Sequence, residues 1–330
     1  MNWPRLSIIV PVFNLEEFLP NCINSILNQD FKDFELILIN DGSTDNSGKI
    51  CDNYGLRDNR VHVYHQENLG VSATRNSGIE KASGELICFV DGDDELYPNS
   101  LTKIIEISVT SKSEMIVAKS FLYHRSQIKN ERYEFDDSFL DRAFDGYNLI
   151  IEKAYIRGSV CGCIFNREFL LINKLRFPVG VMIGEDGIFI SLVHLYAQNI
   201  SFVDQIFYLA NEREGSASRS WSFEKVYKMK DNIKYINNYF KEHPNLNTCQ
   251  KQLLDYRIYK NISAIFNQLY FCFSIVNYLK LLKAIRKELK RKLNTGYIPI
   301  SERKVRVLNF SLILFSFTVL INQGFRNLLK

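Results

Sequence analysis

Short apolar, β-branched runs alternate with segments of helical periodicity over the first half of the chain. LSIIVPVF (6–13), FELILIN (34–40), RVHVYH (60–65) and GELICFVD (84–91) predict strands. Between them, LEEFLPNCINSILNQ places Leu19, Cys22, Ile23 and Ile26 on one side of a helix. Further helices are predicted from Ser43 to Leu56, with Ser43 or Thr44 as N-cap, and from about Gly70 to Ala82. Strands that lack polar alternation and are separated by helices predict a buried parallel sheet. After Pro98 the pattern gives a helix to Ser111, a strand over 114–123, a polar loop or flap over 124–138 and a strand over 158–166. A helix opens at GEDG (184–187), and a last strand covers 200–210. From Trp221 onward nearly every segment is helical. The expected organisation is therefore an α/β domain over 1–220 followed by a helical, basic region over 221–330.

Charge sharpens that division. The net charge of the 330 residues is only +4. Residues 1–150, however, carry 14 Lys/Arg against 24 Asp/Glu, and residues 251–330 carry 15 against 3. The two ends are expected to meet different partners. MNWPRLSIIVPVFN has no charged segment followed by a long apolar one, so no secretory signal is expected and a cytoplasmic location is. The seven cysteines form no CxxC pair; Cys161 and Cys163 alternate as strand residues do and are expected to be small buried side chains.

In open parallel sheets, ligands bind outside the carboxyl ends of the strands. The first strand ends in Pro11, Val12, Phe13 and Asn14, the second in Asn40, Asp41, Gly42 and Ser43, and the fourth in Asp91, Gly92, Asp93 and Asp94. No GxGxxG or GxxxxGK[ST] loop is present to cradle phosphates. A nucleoside diphosphate would then need its charge offset by a divalent cation held on one or two carboxylates. Asp91 and Asp93 have that composition, with Gly92 expected to let the chain turn sharply. On local sequence alone, the same aspartates also read as an acidic turn with Asp93 or Asp94 capping the next helix, and Asp94 and Glu95 as turn and helix-start residues.

SIIVPVFN, NDGSTDNS, NLGVSATRNSGI and FVDGDDE, in this order and at these spacings, resemble the family 2 glycosyltransferases of GT-A fold. The resemblance covers about residues 5–220. It implies a Rossmann-like, mostly parallel sheet flanked by helices, an inverting transfer from a nucleotide sugar, and a Mn²⁺ or Mg²⁺ ion. Carried over by motif, Pro11, Phe13 and Asn14 lie at the base pocket, and Asp41 accepts a hydrogen bond from the base, which favours uracil. Arg75 lies near the nucleotide or its phosphates. Asp91 and Asp93 form the DxD motif, Asp93 being the stronger metal ligand. Asp186 of GEDG is the base that deprotonates the acceptor, and Glu185 contacts the acceptor or supports the site. Arg213, Arg219 and the serines of EGSASRSWS are candidates for a loop over the donor, and Trp221 for stacking on a sugar. SRSWS lacks the QxxRW signature of processive synthases, which implies addition of one sugar. The residues have plainer readings as well: Asp41 and Ser43 as turn and cap, Arg75 in a surface pair with Glu80 or Glu67, and Glu185 and Asp186 as complements to a helix dipole.

The tail adds a partner. KLLKAIRKELKRK (280–292) is cationic with Leu281, Leu282, Ile285 and Leu289 at helical spacing, and VLNFSLILFSFTVLI (307–321) is apolar but shorter than the ~20 residues of a bilayer span. Peripheral attachment to the anionic inner face of a membrane, and a lipid-linked glycan acceptor in surface polysaccharide assembly, are the expectations. Packing against the α/β domain and a homodimer interface are the alternatives. No nucleic acid is expected, because no base-reading motif accompanies the cations. The rival function is a non-catalytic sugar-nucleotide or glycan-binding subunit. A nucleotidyltransferase is a further rival, without the usual GxG loop after the first strand.

Overall fold

A computed structural model describes residues 5–124, 127–131, 135–140, 142–153, 158–211, 221–272, 274–289, 291–295 and 302–328. In chain order the elements are β1 (Leu6–Val12), α1 (Leu19–Leu27), β2 (Phe34–Asp41), α2 (Ser47–Arg57), β3 (Val61–Gln66), α3 (Val71–Lys81), β4 (Leu86–Phe89), β5 (Glu95–Leu96), α4 (Leu101–Ser111), β6 (Met115–His124) and β7 (Gln127–Glu131). They continue with β8 (Ala143–Phe144), α5 (Gly146–Lys153), β9 (Cys163–Asn166), α6 (Arg167–Ile172), α7 (Glu185–Tyr196), β10 (Ile200–Asn211), α8 (Phe223–Lys228) and α9 (Lys230–Glu242). The last four are α10 (Thr248–Leu269), α11 (Ile275–Glu288), α12 (Glu302–Phe310) and α13 (Leu312–Leu328). The chain divides into two compact units, and the division is not a single break: residues 147–156 and 181–195 belong with 215–330.

The first unit is built on one ten-stranded sheet in the order β3-β2-β1-β4-β9-β6-β10-β5, with β7 on β6 and β8 on β10. β1 to β4 are mutually parallel, and every residue of β2 is buried, as an uninterrupted apolar run requires. The sheet is mixed rather than wholly parallel, because β9 runs antiparallel to both β4 and β6. The segment expected to be a loop over 124–138 contains β7, which turns back antiparallel on β6. Its polar, unperiodic sequence carries no strand signal; the pairing comes from its neighbour. Helix α2 begins at Ser47 behind Asn46, which makes no side-chain cap, so neither Ser43 nor Thr44 caps it. The strand expected from Gly158 begins only at Cys163, and Cys161 and Cys163 are both buried.

Close packing fixes α3 against the sheet. A Cβ on Gly78 would lie 2.4 Å from Cγ2 of Ile9 in β1, so only glycine lets the helix approach this far. At the amino edge of the sheet the buried Glu35 carboxylate accepts from Ser7 Oγ at 2.6 Å and from the Ser83 amide at 2.7 Å, which ties β2 to β1 and to the turn before β4.

In the second unit α9, α10, α11 and α13 pack together. Asn247 and Gln250 form a reciprocal cap at the start of α10. The buried Asp255 accepts from Arg291 Nη1 at 2.7 Å and from the Asn294 amide at 2.8 Å, which closes the connection after α11. Among the described residues no helix is long and apolar enough to cross a membrane.

Candidate active site

Sheet register brings the predicted strand ends together. Ile9 pairs with Phe89 and Val12 with Asn40, so Pro11 is level with Asp91 and Phe13 with Asp41 along one carboxyl edge. The β1–β4 border is also where the strand order reverses, the position at which open sheets form a crevice. Gly92 does not supply a left-handed turn, because its φ is not positive. It is needed for proximity: a Cβ there would meet Leu15 Cδ1 at 2.8 Å and the Pro11 carbonyl at 3.3 Å.

Around β1 and β2, Asn14 adopts a φ of 52°, a conformation asparagine tolerates well. Its side-chain oxygen accepts from the Thr44 amide at 2.8 Å, and its own amide donates to Ser43 Oγ at 3.1 Å. Ser43 and Thr44 thus join two loops rather than cap a helix. Phe13 is left 45 % exposed beside them. The buried Asp41 accepts from Gln66 Nε2 at 2.7 Å and from the amides of Leu69 and Gly70, each at 2.9 Å. This carboxylate therefore holds the NLG turn in which α3 begins.

That helix delivers Arg75, which is not the surface residue its local sequence allows. Its side chain is 3 % exposed and donates from Nη2 to Asp91 Oδ1 at 2.8 Å, with the guanidinium 5.2 Å from the Phe177 ring centroid. Asn76 holds Phe177 in turn, accepting from its amide at 2.8 Å and donating to its carbonyl at 2.9 Å. Cys161 Sγ lies 3.5 Å from the other Asp91 oxygen.

The four acidic residues of the turn have separate roles. Asp94 is buried rather than a solvated cap: it accepts from Tyr208 Oη at 2.6 Å and from the Asn211 amide at 2.7 Å. Tyr208 Oη also accepts from the Asp91 amide at 3.2 Å, and Asn211 Nδ2 donates to the Asp93 carbonyl at 2.8 Å. Glu95 starts β5 instead of a helix. Burial and then the nearby Asp91 and Asp93 push the Asp94 carboxyl well above its ordinary range. Burial and then Asp94, with Asp93, Asp91 and Glu95, raise the Cys22 thiol, and burial and then Asp94, Cys161 and Asp91 raise the Tyr208 phenol. The edge is electronegative where Asp91 and Asp93 stand.

Among the described residues no three His, Cys, Asp or Glu side chains gather as a complete metal cage. A nucleotide-bound Mg²⁺ or Mn²⁺ does not need one, since one or two carboxylates and phosphate oxygens suffice. The hard oxygen donors of Asp91 and Asp93, and the repulsion they exert on Asp94, fit such an ion.

Glu185 and Asp186 belong to the second unit, in the first turn of α7 after Gly184, whose φ is 85°. The buried Arg257 of α10 reaches this turn: a Cβ on Gly187 would lie 1.6 Å from its Nη2, which accounts for the second glycine of GEDG. Arg257 makes no ion pair within 4 Å among the described residues; burial pulls its guanidinium down to about 10 against the opposing effects of Tyr256 and Asp186. Farther along α7, burial and then Arg257 hold His194 down at about 4.

Arg213, Arg219 and most of EGSASRSWS lie outside the described residues. Sequence reasoning missed Asp94, Tyr208, Asn211, Cys161 and Arg257. Asn211 ends β10 and was discoverable by the strand-end rule; Arg257 shows as a lone cation within the helical run LLDYRIY. Cys161 and Tyr208 give no local signal.

Comparison with known proteins agrees with these motifs. The profile of Glycosyl transferase family 2 matches residues 7–170. Glycosyltransferase GlyG of Streptococcus pneumoniae is 31 % identical over 221 residues, covering 65 % of this chain and 73 % of GlyG. Glycosyltransferase GlyA of the same organism is 30 % identical over 225 residues, 66 % of this chain but 32 % of GlyA, so the chain spans about a third of that relative. The structure of S. aureus TarS 1–349 in complex with UDP-GlcNAc superposes with a TM-score of 0.71 at 22 % identity, over 97 % of this chain and 89 % of that one, and so shares its fold. The chain belongs to glycosyl transferase family 2.

Proposed function

We propose that the chain is an inverting, metal-dependent, non-processive glycosyltransferase that moves one sugar from a nucleotide sugar, with UDP as the favoured nucleotide, to a hydroxyl of a lipid-linked glycan. The observation that carries this reading is the buried Arg75 held on Asp91 beside Asp93 at the carboxyl edge. A buried cation beside hard oxygen donors at this edge supports a site that neutralises a diphosphate. The UDP-GlcNAc bound by TarS supports the choice of nucleotide.

In this reading Pro11, Phe13 and Asn14 surround the base. Asp41 keeps a lone pair for it, since an ionised carboxylate has about four acceptor sites and three are taken. Asp93, assisted by Asp91, would hold a divalent cation, which supplies positive charge to the departing diphosphate. Asp186 removes the proton of the acceptor hydroxyl as that oxygen attacks the anomeric carbon opposite the leaving group, and Glu185 orients the acceptor. The acceptor is presented at the inner face of a membrane, against which the basic C-terminal helices lie.

Release of nucleoside diphosphate from a panel of nucleotide sugars, with Mn²⁺ or Mg²⁺ and glycan acceptors, tests the proposal. Turnover with one donor, lost by about 10²-fold or more in Asp186→Asn, is expected. Tight donor binding without release from any donor would identify a non-catalytic binding subunit instead.

A further inference from the structure

In the second unit α11 and α13 each carry exposed apolar side chains. On α13, Leu312, Phe315, Ser316 and Val319 are buried, whereas Ile313, Leu314, Phe317 and Ile321 are 39, 47, 49 and 55 % exposed. Their spacing puts all four on one helical face. On α11, Tyr278, Leu281, Leu282 and Ile285 are buried. Its opposite face begins with Ile275, Val276 and Leu279, which are 70, 69 and 59 % exposed, and continues with the exposed cations Lys280, Lys283, Arg286 and Lys287. The two helices are pinned together from within. Tyr278 Oη and Ser316 Oγ are 2.7 Å apart, and the Tyr278 and Phe317 ring centroids are separated by 5.9 Å.

We infer that this face of α11 and α13 docks onto an anionic lipid surface, with the α13 stripe and the first turn of α11 entering the boundary between headgroups and acyl chains. The inference deepens the proposed membrane location and does not depend on sugar transfer. Exposed apolar side chains clustered along one face of a helix mark an interaction surface. No described helix is long and apolar enough to span a bilayer, so the face lies on it rather than through it. Charge decides between occupants. Lys283, Arg286 and Lys287 on this face of α11 complement lipid phosphates, while Lys280 lies 5.2 Å from the Tyr227 ring centroid; a second copy would bring its own identical cations to the interface.

Co-sedimentation of the 330-residue chain with vesicles tests this, comparing phosphatidylcholine alone with phosphatidylcholine containing phosphatidylglycerol. Binding is expected to need phosphatidylglycerol and to fall as salt rises. Lys283→Glu with Arg286→Glu should weaken it about tenfold or more. Leu314→Glu with Ile321→Glu should abolish it, while Val109→Glu, at a 55 % exposed site in the first unit, leaves it intact. All these positions are exposed, so melting temperatures should stay near that of the parent and separate lost docking from lost folding. Absence of phosphatidylglycerol-dependent sedimentation overturns the inference, as does a dimer in solution that Leu314→Glu with Ile321→Glu dissociates. Nucleoside diphosphate release from soluble substrates is read separately, so failure of one reading leaves the other standing.

Discussion

Arg75 Nη2 donates to Asp91 Oδ1 across 2.8 Å, from a guanidinium whose side chain is only 3 % exposed. One residue of the ATRNSG motif and one of the DGDD motif are therefore a single electrostatic unit. Replacing Arg75 with Ala removes a charge-assisted hydrogen bond from Asp91, whose side chain is 35 % exposed, and should cost about 1.5–3 kcal/mol of stability. A surface pair would cost below about 1 kcal/mol, so urea unfolding distinguishes the two settings of this arginine.

The approach of α3 to β1 makes a second prediction. Gly78→Ala drives a methyl toward Ile9, which is fully buried within β1 and has no room to withdraw. A loss of about 1–3 kcal/mol is expected despite the better helix propensity of alanine. Because Arg75 lies one turn earlier on the same helix, nucleotide binding should weaken along with the melting temperature.

His194 gives the second unit a defined acid sensitivity. Burial, with Arg257 nearby, lowers its pKa from 6.5 to about 4 in the folded chain. Between those values the unfolded chain binds a proton that the folded one does not, so stability is full above about pH 6.5 and falls as the pH drops toward 4. The loss amounts to about 3 kcal/mol at most. Denaturant unfolding between pH 4 and 7 should show this slope, and His194→Gln should flatten it.

Much of the first unit was legible because its strands are buried on both faces and read as apolar runs, with the chemistry placed just beyond their ends. Asp41, Arg75, Asp91 and Asp93 were singled out by that rule and by motif order together. What stayed hidden depends on pairing between distant segments. Asp94 looks like a helix start until β10 brings Tyr208 and Asn211 against it. Residues 127–131 become a strand only because β6 offers an edge. Gly92 and Gly187 look like conformational glycines, yet both are required by neighbours, Leu15 and Arg257, that lie 77 and 70 positions away. Ser316 stands as a polar residue within the apolar stretch 307–321, and its hydroxyl pairs with Tyr278 inside the helical unit.

The central claim is that the carboxyl edge of β1, β2 and β4 binds a nucleoside diphosphate together with a divalent cation on Asp93. Calorimetric titration of UDP with and without Mn²⁺, on the parent chain and on Asp93→Asn, tests it most directly. Binding that requires Mn²⁺ in the parent and weakens about tenfold or more in the variant is the predicted result. UDP binding of equal strength with and without Mn²⁺, or undiminished in Asp93→Asn, would contradict it.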